Sequence, residues 1–210
     1  MARRLDIRLT KVSKMPGNVW NLPAAECITG GKLHEQTGTV CSGCYARKGH
    51  FRRPNVKLSQ YRNLRIVRGC QASGDWEPFV AAFVEAFRSS GPQHFRWHSS
   101  GDLQSVEHLR AIVEIARRVP EVSFFLPTKE FRFVRQVGAD YPENLVVRLS
   151  NPRLDEYRPA PLGLPASGVT SNGSVPKGAW LCPAPEQDGK CADCRACWDG
   201  QEMMVVYRKH

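Results

Sequence analysis

The chain lacks any run of about 18 apolar residues, which excludes a membrane-spanning helix. Its basic start, Met1-Ala2-Arg3-Arg4-Leu5-Asp6-Ile7-Arg8, lacks the apolar stretch that would make it a secretory signal. The expected compartment is therefore the reducing cytoplasm, where cysteines persist as thiols or metal ligands. There is no Walker loop, no Rossmann glycine fingerprint, no His-Glu-x-x-His helix and no Gly-x-Ser-x-Gly elbow. Internal repeats and low-complexity tracts are absent as well. Acidic residues are scarce, with 20 Asp+Glu against 30 Lys+Arg. A net charge of +10 suits a phosphate-bearing partner or an acidic reductant protein. What remains is a folded chain of 210 residues with mean hydropathy −0.41, long enough for one domain over 1–210. It divides into an N-terminal cysteine loop region (1–50), a βα core (51–152) and a loop-rich cysteine region (153–210).

Eight cysteines are present, and seven fall in two groups. Cys27, Cys41 and Cys44 are spaced C-x13-C-x2-C, and Cys182, Cys191, Cys194 and Cys197 are spaced C-x8-C-x2-C-x2-C. A C-x2-C step turns two thiolates toward one centre. The second group has four ligands, enough to close one tetrahedral Zn or one [4Fe–4S] cube. Repeated C-x2-C steps are the iron–sulfur pattern, whereas zinc sites mostly pair separated knuckles. The first group has three ligands, which leaves one iron of a cube without a protein ligand; open positions are where metal sites do chemistry. His34, His50 or Cys70 would close that position. Trp198, directly after Cys197, fits either a shield over a cluster or ordinary packing.

Hydrophobic spacing predicts helices over 55–68 and 76–88, then a strand 94–98, a helix 105–119, a strand 122–126, a helix 130–137 and a strand 145–149. Short strands are expected at 5–9, 168–171 and 203–207. Strands alternating with helices indicate an α/β fold with a parallel sheet. Three strands end in polar clusters: His98-Ser99-Ser100-Gly101-Asp102, Thr128-Lys129-Glu130 and Arg148-Leu149-Ser150-Asn151. Ligands in parallel α/β folds sit beyond the carboxyl ends of strands, so these clusters should converge on one cleft.

Cys41-Ser42-Gly43-Cys44-Tyr45-Ala46 resembles the C-x-x-C-Y portion of radical S-adenosylmethionine (SAM) enzymes, with a first gap of thirteen residues where that superfamily usually has three. The set Lys14-Met15-Pro16, Cys41-x-x-Cys44-Tyr45-Ala46, Gly49, Ser100-Gly101-Asp102 and Cys191-x-x-Cys194-x-x-Cys197-Trp198 resembles the bacteriophage gene product 88 family, which implies a host-cytoplasmic protein. The radical SAM resemblance implies a partial (β/α) barrel. It implies a [4Fe–4S] cluster on Cys27, Cys41 and Cys44, with SAM on the open iron. Ser99, Ser100, Gly101 and Asp102 would then meet the SAM amino group, and Lys129, Arg148 and Ser150 its carboxylate or ribose.

Three functional readings follow. The first is a SAM-dependent radical enzyme, an oxidoreductase or transferase fed by a reductant protein, with a second metal site at the C-terminal cysteines. The second is an iron–sulfur protein whose clusters are structural or redox-sensing. The third is a zinc-containing nucleic-acid-binding protein, supported by the basic stretch Arg47-Lys48-Gly49-His50-Phe51-Arg52-Arg53 beside Tyr45.

Overall fold

The computed structural model describes residues 5–209; the basic start at 1–4 lies outside them. One sheet runs through the molecule. Its strands are β1 (Thr10–Lys11), β2 (Asn18–Trp20), β3 (His94–Trp97), β4 (Ser123–Thr128), β5 (Leu145–Leu154), β6 (Ala166–Thr170), β7 (Trp180–Leu181) and β8 (Met204–Arg208). Their order is β1-β2-β3-β4-β5-β6-β8-β7, and every pair is parallel except β1–β2. Five helices accompany it: α1 (Ile28–His34), α2 (Pro54–Ser73), α3 (Glu77–Ser90), α4 (Val106–Arg118) and α5 (Phe131–Val137). From β2 to β5 each strand lies beside the next in sequence, joined by helical crossovers. Right-handed crossovers that keep advancing in one direction stack their helices on one face.

The strand alternation shows which face that is. Phe95 and Trp97, Phe124 and Leu126, and Leu145, Val147 and Leu149 join the main core with Phe79, Phe83 and Phe87 of α3 and Leu109 and Ile112 of α4. Ring centroids lie 4.8 Å apart for Phe83–Trp97 and 4.9 Å for Phe87–Phe95. The other alternation set, Arg96, Phe125, Val146 and Arg148, points away from the helices, onto an inner face covered by the C-terminal loop.

Several elements differ from the sequence expectation. Residues 5–9 form no strand: Leu5, Ile7 and Leu9 pack half-buried on the core, and pairing starts only at Thr10. The helix expected to stop at 68 continues to Ser73, where Gly74 at φ 72 turns the chain and bonds its amide to the Cys70 carbonyl. β5 runs on to Leu154 because the cysteine loop pairs with it: Val40 donates to the Pro152 carbonyl and Leu154 to that of Gly38. β2, β7 and α1 lie in stretches that read as loops. Their brevity, at two, three and seven residues for β7, β2 and α1, hides any period.

Two histidines sit inside this core. His98 Nδ1 donates to the Trp20 carbonyl at 2.7 Å, and its ring lies 5.8 Å from that of His108. Burial pushes His98 down to about 4 and His108 well below its ordinary value. Folding therefore favours the neutral rings. Their contribution is present above the unfolded value of 6.5 and is lost as pH falls toward 4. Burial raises Asp102 to about 6, so that group acts in the opposite sense over pH 4–6. Comparison with His98→Asn cancels the Asp102 contribution. Between pH 7.5 and 4.5 the wild type should lose on the order of 2–3 kcal/mol more stability than His98→Asn, read from urea unfolding midpoints.

Candidate metal centres

The first cysteine group lies beyond the carboxyl end of β2. Cys27 immediately precedes α1, and the Cys44 amide donates to the Cys41 carbonyl at 3.2 Å, closing the C-x2-C turn. Gly30 lets the two arms meet. A Cβ there would stand 3.0 Å from the Cys27 Cβ, 3.5 Å from the Cys41 Sγ and 3.7 Å from the Cys27 Sγ. Thr39 fixes the turn by donating its hydroxyl to the carbonyls of Leu33 (2.6 Å) and Gln36 (2.9 Å) and accepting from the Ser42 amide. Glu130, fully buried at the start of α5, accepts at 2.8 Å from both the amide and the hydroxyl of Thr29, in the first turn of α1. Glu130 thus locks the Cys27 arm to the end of β4.

Burial pushes the Cys27 thiol up, aided by Asp102, Cys44 and Cys41 and opposed by Lys129. Cys41 is raised by burial too, with Lys129 opposing. Three thiols therefore share one electrostatic neighbourhood with two strand-end residues that the sequence pattern singled out. Metal binding would reverse these shifts by taking the proton's place. His34 spends its Nδ1 on the Cys41 carbonyl at 2.9 Å, His50 is exposed beside Phe51, and Cys70 is buried in the main core. Among the described residues, no three His, Cys, Asp or Glu side chains are gathered tightly enough to hold a single metal ion.

The strand-end residues divide by role. Ser99 and Ser100 both donate their amides to the Asn21 side chain, and the Ser100 hydroxyl donates to the Leu22 carbonyl. Gly101, at φ 87, presses on β2's exit; a Cβ there would meet the Leu22 Cβ at 2.4 Å. The Ser99 hydroxyl is buried with no partner among the described residues. Asp102 is buried and accepts from the Leu103 amide, the Thr128 hydroxyl (2.6 Å) and the Lys129 amide (2.9 Å). It ties β3 to β4. The Lys129 charge opposes the rise of the Cys27 and Cys41 thiols. Ser150, on the inner face, pairs its hydroxyl with that of Ser167 at 3.2 Å.

Arg148 stands lower on that face, away from the first cysteine group. It is fully buried and donates to the carbonyls of Ala166, Ala196, Asp199 and Glu202 at 2.6–3.2 Å. Those bonds seat the second cysteine group against the inner face of the sheet. The Cys191 amide donates to the Lys14 carbonyl ahead of β2, and Trp198 Nε1 donates to the Phe95 carbonyl. Cys197 Sγ lies 3.2 Å from the Tyr207 hydroxyl. Burial raises Cys182, Cys191 (to about 11) and Cys197, and the thiols of the group add to the shift. Cys194 contributes to the shift of each of the other three, so the group shares one neighbourhood. Arg96 lies between the two groups: Tyr45, next to Cys44, and Cys197 both act on its charge.

The sequence pattern did not single out Thr29, Arg96 or Tyr207. For Arg96 a signal was present, since a cation alternating with Phe95 and Trp97 marks a strand whose second face is not core. Thr29 and Tyr207 depend on contacts across 101 and 10 residues, which no local pattern carries.

Glu130→Ala should cost about 2–4 kcal/mol by leaving two donors unsatisfied, and Thr29→Val about 1–2 kcal/mol. A double-mutant cycle in urea should show the two effects to be strongly coupled. Hydrogen exchange should quicken at the amides of α1 before the core opens.

No curated protein and no solved structure matches the chain. The C-terminal cysteines lie outside the segment that a family model matches. With the model for gene product 88 matching residues 2–162, well over half its length, the chain belongs to the gene product 88 family.

Proposed function

We propose that this protein is an iron–sulfur protein of radical SAM type. Cys27, Cys41 and Cys44 would hold a [4Fe–4S] cluster with one iron open, and Cys182, Cys191, Cys194 and Cys197 a second metal centre, iron–sulfur or zinc. The observation that carries the reading is positional. Three thiols share the carboxyl end of the first parallel strand with Lys129 and Asp102, and His34, His50 and Cys70 are placed elsewhere or engaged. The steady advance from β2 to β5 is also what a partial (β/α) barrel requires, with its site at that end.

SAM held at such a cluster would supply radical chemistry, with the cluster kept reduced by a protein reductant. The chain's own part is to place and shield. Glu130 fixes the Cys27 arm through Thr29. Lys129 offsets the negative charge of thiolates and would attract a carboxylate. The unpartnered Ser99 hydroxyl offers a donor at the strand end. Arg148 acts elsewhere, holding the second cysteine loop closed.

One observation favours the SAM-free reading, a structural or redox-sensing cluster. Both Asp102 carboxylate oxygens are occupied by hydrogen bonds within the chain, so the expected acidic partner for an amino group is already engaged.

Anaerobic purification with iron, sulfide and zinc analysis tests the assignment. The wild type should carry iron and sulfide. The triple Cys27→Ser, Cys41→Ser, Cys44→Ser variant should lose about four irons per chain and keep whatever metal the C-terminal group holds. Incubation of reduced protein with SAM should release 5′-deoxyadenosine and broaden the cluster's EPR signal. A fully loaded protein that neither shifts its EPR spectrum nor cleaves SAM selects the SAM-free reading. Zinc alone at both groups rejects iron–sulfur function.

A further inference from the structure

The stretch between residues 36 and 74 holds eight Lys and Arg and no Asp or Glu, so most of the +10 charge lies in one segment. That segment contains Cys41 and Cys44, the turn that follows them, and α2. Three of its eight cations are engaged: Arg68 pairs with Glu26, Arg62 reaches Asp6, and Arg47 donates to the Ala24 carbonyl at 3.4 Å. Lys48, Arg52, Arg53, Lys57 and Arg65 are exposed and have no carboxylate partner among the described residues. Lys57, Leu58, Tyr61 and Arg65 recur at helical spacing on the outer side of α2, with Leu58 68% and Tyr61 39% exposed. At the other end, Tyr45 is 46% exposed and packs its ring 5.8 Å from Phe51.

We propose that this face binds single-stranded nucleic acid, and that the substrate of the adjacent cysteine site is a polynucleotide. A row of unpaired cations gains free energy from phosphates by counterion release. Cations alone would serve a duplex or an acidic protein equally. The exposed Tyr61, Leu58 and Tyr45 between them favour a strand whose bases are free to stack. The face and the first cysteine group belong to one segment: Tyr45 directly follows Cys44 and donates its hydroxyl to the Ser99 carbonyl at 2.6 Å. The substrate assignment rests on the reading of that group given above. The binding face itself stands without it.

Fluorescence anisotropy of the full chain with a labelled 20-nucleotide single strand tests the proposal across a salt series. Binding should weaken with salt at a slope of about −0.7 per phosphate contacted. Arg52→Glu with Arg53→Glu and Lys57→Glu should lose roughly tenfold or more in affinity and flatten that slope. Tyr61→Ala should lose roughly fivefold or more with the slope unchanged. Arg110→Glu with Arg135→Glu, far along the chain on α4 and α5, should bind within about twofold of wild type. Circular dichroism verifies that each variant is folded. Absence of binding at low salt, an equal loss in the α4–α5 variant, or an unaffected charge-reversed face overturns the proposal. Tighter binding to a matched duplex, or to polyglutamate as an acidic-protein probe, assigns the face to another partner and overturns it too. Iron is measured on the same preparations. A loaded protein that ignores oligonucleotides removes this face and leaves the cluster, and a metal-free protein that binds them does the reverse.

Discussion

The inner face of the sheet is organised around one buried charge. An arginine taken out of water costs several kcal/mol unless its donors are met. Arg148 offsets most of that cost through its two terminal nitrogens, which reach four backbone carbonyls, one from β6 and three from the loop carrying the C-terminal cysteines, while its Nε has no partner among the described residues. Carbonyls suit this task because they come from residues of any type, so only the path of the loop is constrained. The loop must run past β5 at a fixed height. That height sets Cys197 beside Tyr207 and Trp198 over Phe125. The helices cover one face of the sheet by apolar packing, and a single guanidinium recruits the cover of the other.

The two cysteine groups are then held by different physics. The first hangs from polar ties at strand ends, chiefly Glu130 to Thr29 and Asp102 to Thr128, in a region built of turns. The second is pressed onto the middle and lower part of the sheet by Arg148 and by aromatic contacts. An open, polar-tied site suits ligand exchange. A loop wedged against a sheet suits a centre that stays.

Much of this was legible beforehand, and the reasons differ by element. The helices 76–88 and 105–119 and the strands of the βα core announced themselves by period, since each buries one face. The three strand-end clusters were legible because polarity begins where each apolar strand ends. Asp102 and Lys129 do come together at the first cysteine group. Arg148 was legible as a special residue but not by role, because a side chain's reach along a face depends on its depth in the strand. β2 and β7 escaped notice because two or three residues carry no period. Glu130 was visible in its cluster, yet its partner Thr29 lies 101 residues away. The strand at 5–9 failed for the converse reason: alternation was present, and no neighbouring strand was.

The strand order has a consequence for synthesis. β8 comes last of the described strands, yet it sits inside the sheet, between β6 and β7. The loop with Cys182, Cys191, Cys194 and Cys197 is spanned by β7 and β8, so its two ends join only after residue 208 has left the ribosome. The partners of the first cysteine group, up to Leu154, are all synthesised earlier, but the strands of one sheet fold as a unit. The second set of thiols therefore gains its complete surroundings only when β8 takes its place, so closing the sheet and assembling that loop are one event.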